Sequence, residues 1–175
     1  MTKMRSNLPL RIAGLAAGLV LAASLLYVLR VPASDGQLGA DVRLVTLVPG
    51  ELTVAPKDFF LSSRGLKPGS TPQSGVLKVR NITTGPVDVR VKALPSDRRL
   101  ARVAHMELSS GGRVLASSSI DALRLHRSRP MRIPLGKAGT LRARVWIPRS
   151  AKSGYQARFA DVTLDLRATV IKGSR

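Results

Sequence analysis

From Thr140 to Ile171 the chain alternates. Leu141, Ala143, Val145 and Ile147 take turns with Arg142, Arg144 and Trp146. After Ser153-Gly154-Tyr155-Gln156 the pattern resumes, with Val162, Leu164, Leu166, Ala168 and Val170 set between Asp161, Thr163, Asp165, Arg167 and Thr169. A period of two held this long specifies strands with one buried face and one solvated face. The second run is long enough to be the backbone of a sheet and is expected to close the fold.

Upstream, the same reading gives a series of short strands separated by turn signals. Arg43 to Ala55 reads as one or two strands broken at Pro49-Gly50. Asp58 to Leu61 reads as another, whose Phe59-Phe60 would supply the aromatic pair of the core. Gly65 to Gly75 is a loop in which Pro68-Gly69 is a strong turn signal. Gly75 to Ile82 and Pro86 to Ala93 flank Thr83-Thr84-Gly85 and read as a hairpin, with Pro86 at a strand start where its missing donor is tolerated. Ser96 to Met106 has helical spacing at Leu100, Val103, Ala104 and Met106, with Ser96 or Asp97 as cap. A second hairpin is expected across Ser109-Ser110-Gly111-Gly112 into Arg113 to Ser117, a helical turn over Ser119 to Leu125, and a return to the sheet over Pro130 to Leu135. No βαβ rhythm appears. The expected fold is all-β, an antiparallel β-sandwich of jelly-roll type with one or two short helices, preceded by an N-terminal apolar helix.

That leading segment sets the expected compartment. Lys3, Arg5 and Arg11 precede Ile12 to Leu29, which carries no charge. It is short for a bilayer span and long for a signal-peptide core of ~7–15 residues, and either way the basic end stays in the cytoplasm while the rest is exported. Ala33 and Ala40 are the candidate signal-cleavage positions, releasing chains that begin at Ser34 or Asp41. If neither is cut, residues 12–29 anchor the protein in the membrane. The expected domains are 1–33, signal peptide or anchor; 34–40, processing linker; and 41–175, the sandwich. The expected location is secreted or on the extracellular cell surface.

Composition narrows the chemistry. Aromatics make up 3% of the chain against 44% hydrophobic residues overall, so the core is aliphatic and stacking platforms for single-stranded nucleic acid are scarce. There is no cysteine, which excludes disulfides, thiolate catalysis and cysteine-based metal sites. The formal charge is +19, from 29 Lys+Arg against 10 Asp+Glu, an excess that attracts polyanions. Yet the cations mostly hold the polar positions of alternating strands, as in Val87-Asp88-Val89-Arg90-Val91-Lys92, where a solvated outer face explains them.

No catalytic, cofactor or metal site is expected. His105 and His126 are far apart in sequence, and His105 with Glu107 is a pair that arises readily by chance. Ser117-Ser118-Ser119 lies outside any G-x-S-x-G elbow, and Asp161 and Asp165 sit on the polar side of a strand. Asn81-Ile82-Thr83 matches the glycosylation sequon.

Several short motifs in order resemble the TasA/camelysin family: Leu52-Thr53-Val54 after Pro49-Gly50-Glu51, the Leu66-Lys67-Pro68-Gly69 turn, a strand ending in Val79-Arg80-Asn81, and Tyr155-Gln156 before the closing strand. The resemblance spans most of Arg43 to Ile171. It implies an exported jelly-roll domain that self-associates into extracellular matrix fibres, an amino-terminal strand completing the sheet of a neighbouring subunit. On that reading Val42, Leu44 and Thr46 are the donor-strand residues. The family also implies an alternative, a camelysin-like surface metallopeptidase. This sequence departs from the family in its arginine-rich composition, in its short segment between Ala93 and Arg113, and in lacking an evident zinc-ligand set. A third reading follows from charge alone: a basic adhesin that binds anionic cell-wall polymer or extracellular DNA with steep salt dependence.

Overall fold

The computed structural model describes residues 39–152 and 155–171. The chain divides after Gly36 into two units, and the fold below belongs to the second, Gln37–Arg175. The expected apolar helix and the cleavage candidate Ala33 lie outside the described residues. Among the described residues no helix is long and apolar enough to cross a membrane.

In chain order the elements are β1 (Ala40–Leu47), β2 (Leu52–Ala55), β3 (Phe59–Leu66), β4 (Gln73–Asn81), β5 (Val87–Pro95), α1 (Arg98–Val103), β6 (His105–Ser110), β7 (Arg113–Ser119), α2 (Ile120–Leu125), β8 (Met131–Ile133), β9 (Ala138–Trp146) and β10 (Phe159–Val170). They form two five-stranded sheets, ordered β3-β1-β10-β5-β8 and β2-β4-β9-β6-β7. The sandwich that the alternation calls for is therefore present, and β10 is the middle strand of the first sheet. Pairing between these strands is antiparallel except along β1 and β10, which run parallel from Asp41↔Phe159 to Leu47↔Asp165.

The alternation does the core's work. Leu77 and Val79 of β4, Val87, Val89 and Val91 of β5, Leu141, Ala143 and Val145 of β9, and Val162, Leu164 and Leu166 of β10 are all at most 1% exposed. Burial of each Val or Leu contributes roughly 1.5–3 kcal/mol relative to leaving it in water. Both helices start where expected. Asp97 caps α1, accepting from the N–H groups of Arg99 at 2.7 Å and Leu100 at 3.0 Å, and Ser119 caps α2 through the N–H of Ala122. Helix α1 stops at Val103 because Ala104 is extended, so Met106 packs into the core from β6 and not from a helix. Gly111 and Gly112, both with positive φ, make the β6–β7 hairpin turn.

Two expectations fail for physical reasons. Strands β4 and β5 occupy the expected residues but are not a hairpin, since β4 pairs with β2 and β9 while β5 pairs with β10 and β8. Thr83-Thr84-Gly85 is instead an arch from one sheet to the other. Asn81 builds that arch: fully buried, its Nδ2 donates to the carbonyls of Gly85, Ile133 and Pro134, while its Oδ1 accepts from the Thr83 N–H and hydroxyl. Phe59 and Phe60 are not a core pair either. Neighbours on a strand face opposite ways, so Phe60 packs against the core and Phe59 is 53% exposed.

Candidate polyanion-binding face

Strands β4 and β9 lie side by side with Ser74 opposite Arg144, Val76 opposite Arg142, Lys78 opposite Thr140 and Arg80 opposite Ala138. Gly75, Leu77, Val79, Leu141, Ala143 and Val145 point into the core, which turns Lys78, Arg80, Arg142 and Arg144 outward. Read across this register, the cations fall one to a row: Arg80, then Lys78 on β4, then Arg142 and Arg144 on β9, with Trp146 in the next row. Residues two apart on a strand are ~6.8 Å apart. The rows thus form a stripe of roughly 27 Å along the strand direction, with a positive charge at each of its first four steps.

One acidic residue reaches it. Glu107 of β6 is opposite Arg144 and holds its guanidinium at 3.6 Å, while Lys78, Arg80 and Arg142 have no ionic partner among the described residues. At the far end Trp146 is half-buried and stacks on His105, its cross-strand partner, with ring centroids 5.8 Å apart. His105 is further positioned by a contact of 3.3 Å between Nδ1 and the Val103 carbonyl. Ser109 of β6 is opposite Arg142.

The outer face of the first sheet is built differently. Arg43 of β1 is opposite Asp161 of β10 and makes a two-pronged contact at 2.7 and 3.0 Å, and the hydrogen bond and charge of Asp161 hold the guanidinium above its ordinary pKa. Arg132 reaches Asp88 at 3.2 Å and Arg167 reaches Asp165 at 3.4 Å. Arg90 and Lys92 of β5 also face outward there, without an ionic partner among the described residues.

The residues singled out from sequence are dispersed. Val42 and Leu44 are buried in β1, and Thr46 follows on the same side with its hydroxyl buried and unpartnered among the described residues. This strand is hydrogen-bonded on both edges, to β10 and to β3, within its own chain. Ala40 is the first residue of β1, fully buried and paired with Leu66, and the preceding Gly39 carbonyl accepts from Ala157. His126 is the exposed C-cap of α2. Glu107 next to His105 is engaged by Arg144. No group of three or more His, Asp or Glu side chains that would suit a metal ion occurs among the described residues. The sequon at Asn81 is unusable in the folded chain, because its amide is buried and fully occupied.

An open recess beside the end of β1, lined by Leu47, Val48, Pro49 and Glu51 and by Asp165 to Ala168, lies on the first sheet. It carries both signs of charge and gathers no convergent donors.

The Leu66-Lys67-Pro68-Gly69 segment does form a turn, with Gly69 at φ +75 and the Ser70 N–H bonded to the Lys67 carbonyl. No family model matches the chain, and no curated protein matches it. The TasA/camelysin resemblance therefore rests on its short motifs alone. Among solved structures, the N-terminal domain of PorA is similar at 10% identity and a TM-score of 0.29, over 71% of this chain and 84% of that one. So low a score carries no argument about function.

The stripe itself was only half legible. The alternation on β4 and on β9 marks Lys78, Arg80, Arg142 and Arg144 as outward-facing. What joins them is the pairing of two strands some sixty residues apart, and no local signal encodes that register.

Proposed function

We propose that this chain is an exported, non-enzymatic β-sandwich that adheres to a linear polyanion of the cell surface or matrix through the outer face of its second sheet. The observation that carries the reading is the stripe from Arg80 to Arg144. A linear polymer with a charge on each repeat meets a cation at successive steps, releases its counterions, and pays little for desolvation because the face is open. Trp146 at the end of the stripe offers one platform, enough for one ring and too few for a nucleic-acid strand read by stacking. Export follows from the basic and apolar segment before Arg30. Cleavage after Ala33 fits the fold better than cleavage after Ala40, since a chain starting at Ser34 retains the buried Ala40 and the Gly39 carbonyl that β1 uses.

Binding is tested with polyglycerol phosphate, an acidic polysaccharide and single-stranded DNA, read by the emission of Trp146, the chain's only tryptophan. Affinity should fall steeply with salt, with a slope of log K against log salt of about −3 to −4, set by the four cations. Salt-insensitive binding, or no binding to any of the three at low ionic strength, would overturn the reading.

Fibre assembly by strand addition is the finer form of this proposal and rests on the TasA/camelysin resemblance. It requires β1, with Val42, Leu44 and Thr46, to leave its place between β3 and β10 and enter the same place in a neighbour. Electron microscopy of chains with and without residues 41–47 distinguishes it: filaments that persist without those residues rule out this donor.

A further inference from the structure

Where α1 packs against α2, one carboxylate faces three guanidinium groups. Asp121, in the first turn of α2, accepts a hydrogen bond at 2.9 Å from Arg124 Nε one turn later. Arg98 Nε stands 3.8 Å from Asp121 Oδ1 and Arg102 Nε stands 4.0 Å from Oδ2. Arg98 and Arg102 are four residues apart on α1 and so share a face. Their distances exceed the reach of a hydrogen bond. Asp121 therefore draws the two side chains together by charge without using their N–H groups, and neither has a hydrogen-bond partner among the described residues. Both are well exposed, at 59% and 65%, while Asp121 is only 18% exposed beneath them. The cluster keeps a positive excess, and it holds two exposed guanidinium forks about one carboxylate, a group whose planar donors suit a tetrahedral oxyanion.

We propose that Arg98 and Arg102, pre-positioned by Asp121, form an oxyanion site for a phosphate or sulfate group, separate from the stripe on the second sheet. Asp121 has a double part in it. It gathers the guanidiniums, and its own negative charge lowers their affinity for an incoming anion, so that a multiply charged group is held and chloride is not.

The test uses the full chain and titrates sodium sulfate and sodium phosphate separately, with sodium chloride at matched ionic strength as control. The readout is the side-chain Nε–H resonances of Arg98 and Arg102. Both should shift saturably with the oxyanions and not with chloride. Saturation at lower sulfate than phosphate assigns a sulfated ligand, and the reverse a phosphorylated one. Arg98→Gln and Arg102→Gln, each at an exposed side chain, should each abolish saturation. Lys78→Gln with Arg142→Gln should leave the titration unchanged, so that failure of the stripe and failure of this site are told apart. Shifts that follow chloride equally, or saturation that survives in both the Arg98→Gln and the Arg102→Gln chains, would overturn the proposal.

Discussion

On the outer face of the first sheet Arg43 sits on Asp161, Arg132 on Asp88 and Arg167 beside Asp165, whereas on the second sheet Lys78, Arg80 and Arg142 face water with no ionic partner among the described residues. Both faces come from the same alternation of apolar and polar positions, and both are rich in cations. They differ in where the carboxylates were placed. Asp41, Asp88, Asp161 and Asp165 all point out from the first sheet, against Glu107 alone on the four central rows of the second. Net charge therefore does not locate a binding surface in this chain. What sets the two faces apart is the local balance of acids against bases across neighbouring strands, the basis on which the second is proposed as the binding surface.

The largest effect should come from reversing charge on one face and then the other. Lys78→Glu with Arg142→Glu, and Arg90→Glu with Arg167→Glu, lower the net charge equally. If the stripe is the binding surface, the first pair should weaken polyanion binding about a hundredfold at moderate salt and reduce the salt slope by about 2, while the second pair should cost less than about threefold. Equal losses from the two pairs would show that affinity follows total charge, and the contrast between the faces would lose its functional meaning.

Much of this molecule could be read from residue order alone, and the limits of that reading are physical. Inward residues such as Leu141, Ala143 and Val145 are fixed by the period of two, the helix starts by Asp97 and Ser119, and the β6–β7 turn by Gly111-Gly112. Partner choice is another matter. An arch and a hairpin impose the same alternation on β4 and β5, because both deliver their apolar faces to one core. The Asn81 amide that decides between them reaches carbonyls more than fifty residues away. The stripe fails to show in the sequence for the same reason, since it exists only once β4 has chosen β9. The arginines around Asp121 are brought together by the packing of two six-residue helices, which nothing local announces.

The arch at Asn81 gives the second prediction, because it fixes how the two faces are joined. Asn81→Ala removes the donor to the carbonyls of Gly85, Ile133 and Pro134 in a fully buried corner. Leaving such acceptors unpaired should cost about 2–3 kcal/mol, measured as the change in unfolding free energy in urea. Polyanion binding by the fraction still folded should be unchanged, since the Asn81 side chain makes its hydrogen bonds with Thr83, Gly85, Ile133 and Pro134 and none with a stripe residue. A folded Asn81→Ala chain that binds weakly would mean that the arch sets the register of the stripe as well as the stability of the corner.

The smallest effect tests whether paired charges contribute to folding at all, and the best-placed pair lies beside α1. Asp97 caps that helix and also accepts from Arg158 Nη1 at 2.9 Å, just ahead of β10. Burial pushes its carboxyl up, but the Leu100 N–H, Arg158 and the Arg99 N–H together outweigh this and hold it below the usual carboxylate range. A carboxylate depressed in the folded state stabilises the protein above its unfolded value of about 3.9, and that contribution is lost as pH falls through the folded value. Asp97→Asn keeps a side chain that caps well and removes only the charge. The stability difference between the two chains should therefore be present at neutral pH and close as the solution is taken below about pH 4. A gap that is absent at neutral pH would mean that the Asp97–Arg158 pair keeps acid and base matched without adding to stability, as is common for exposed ion pairs.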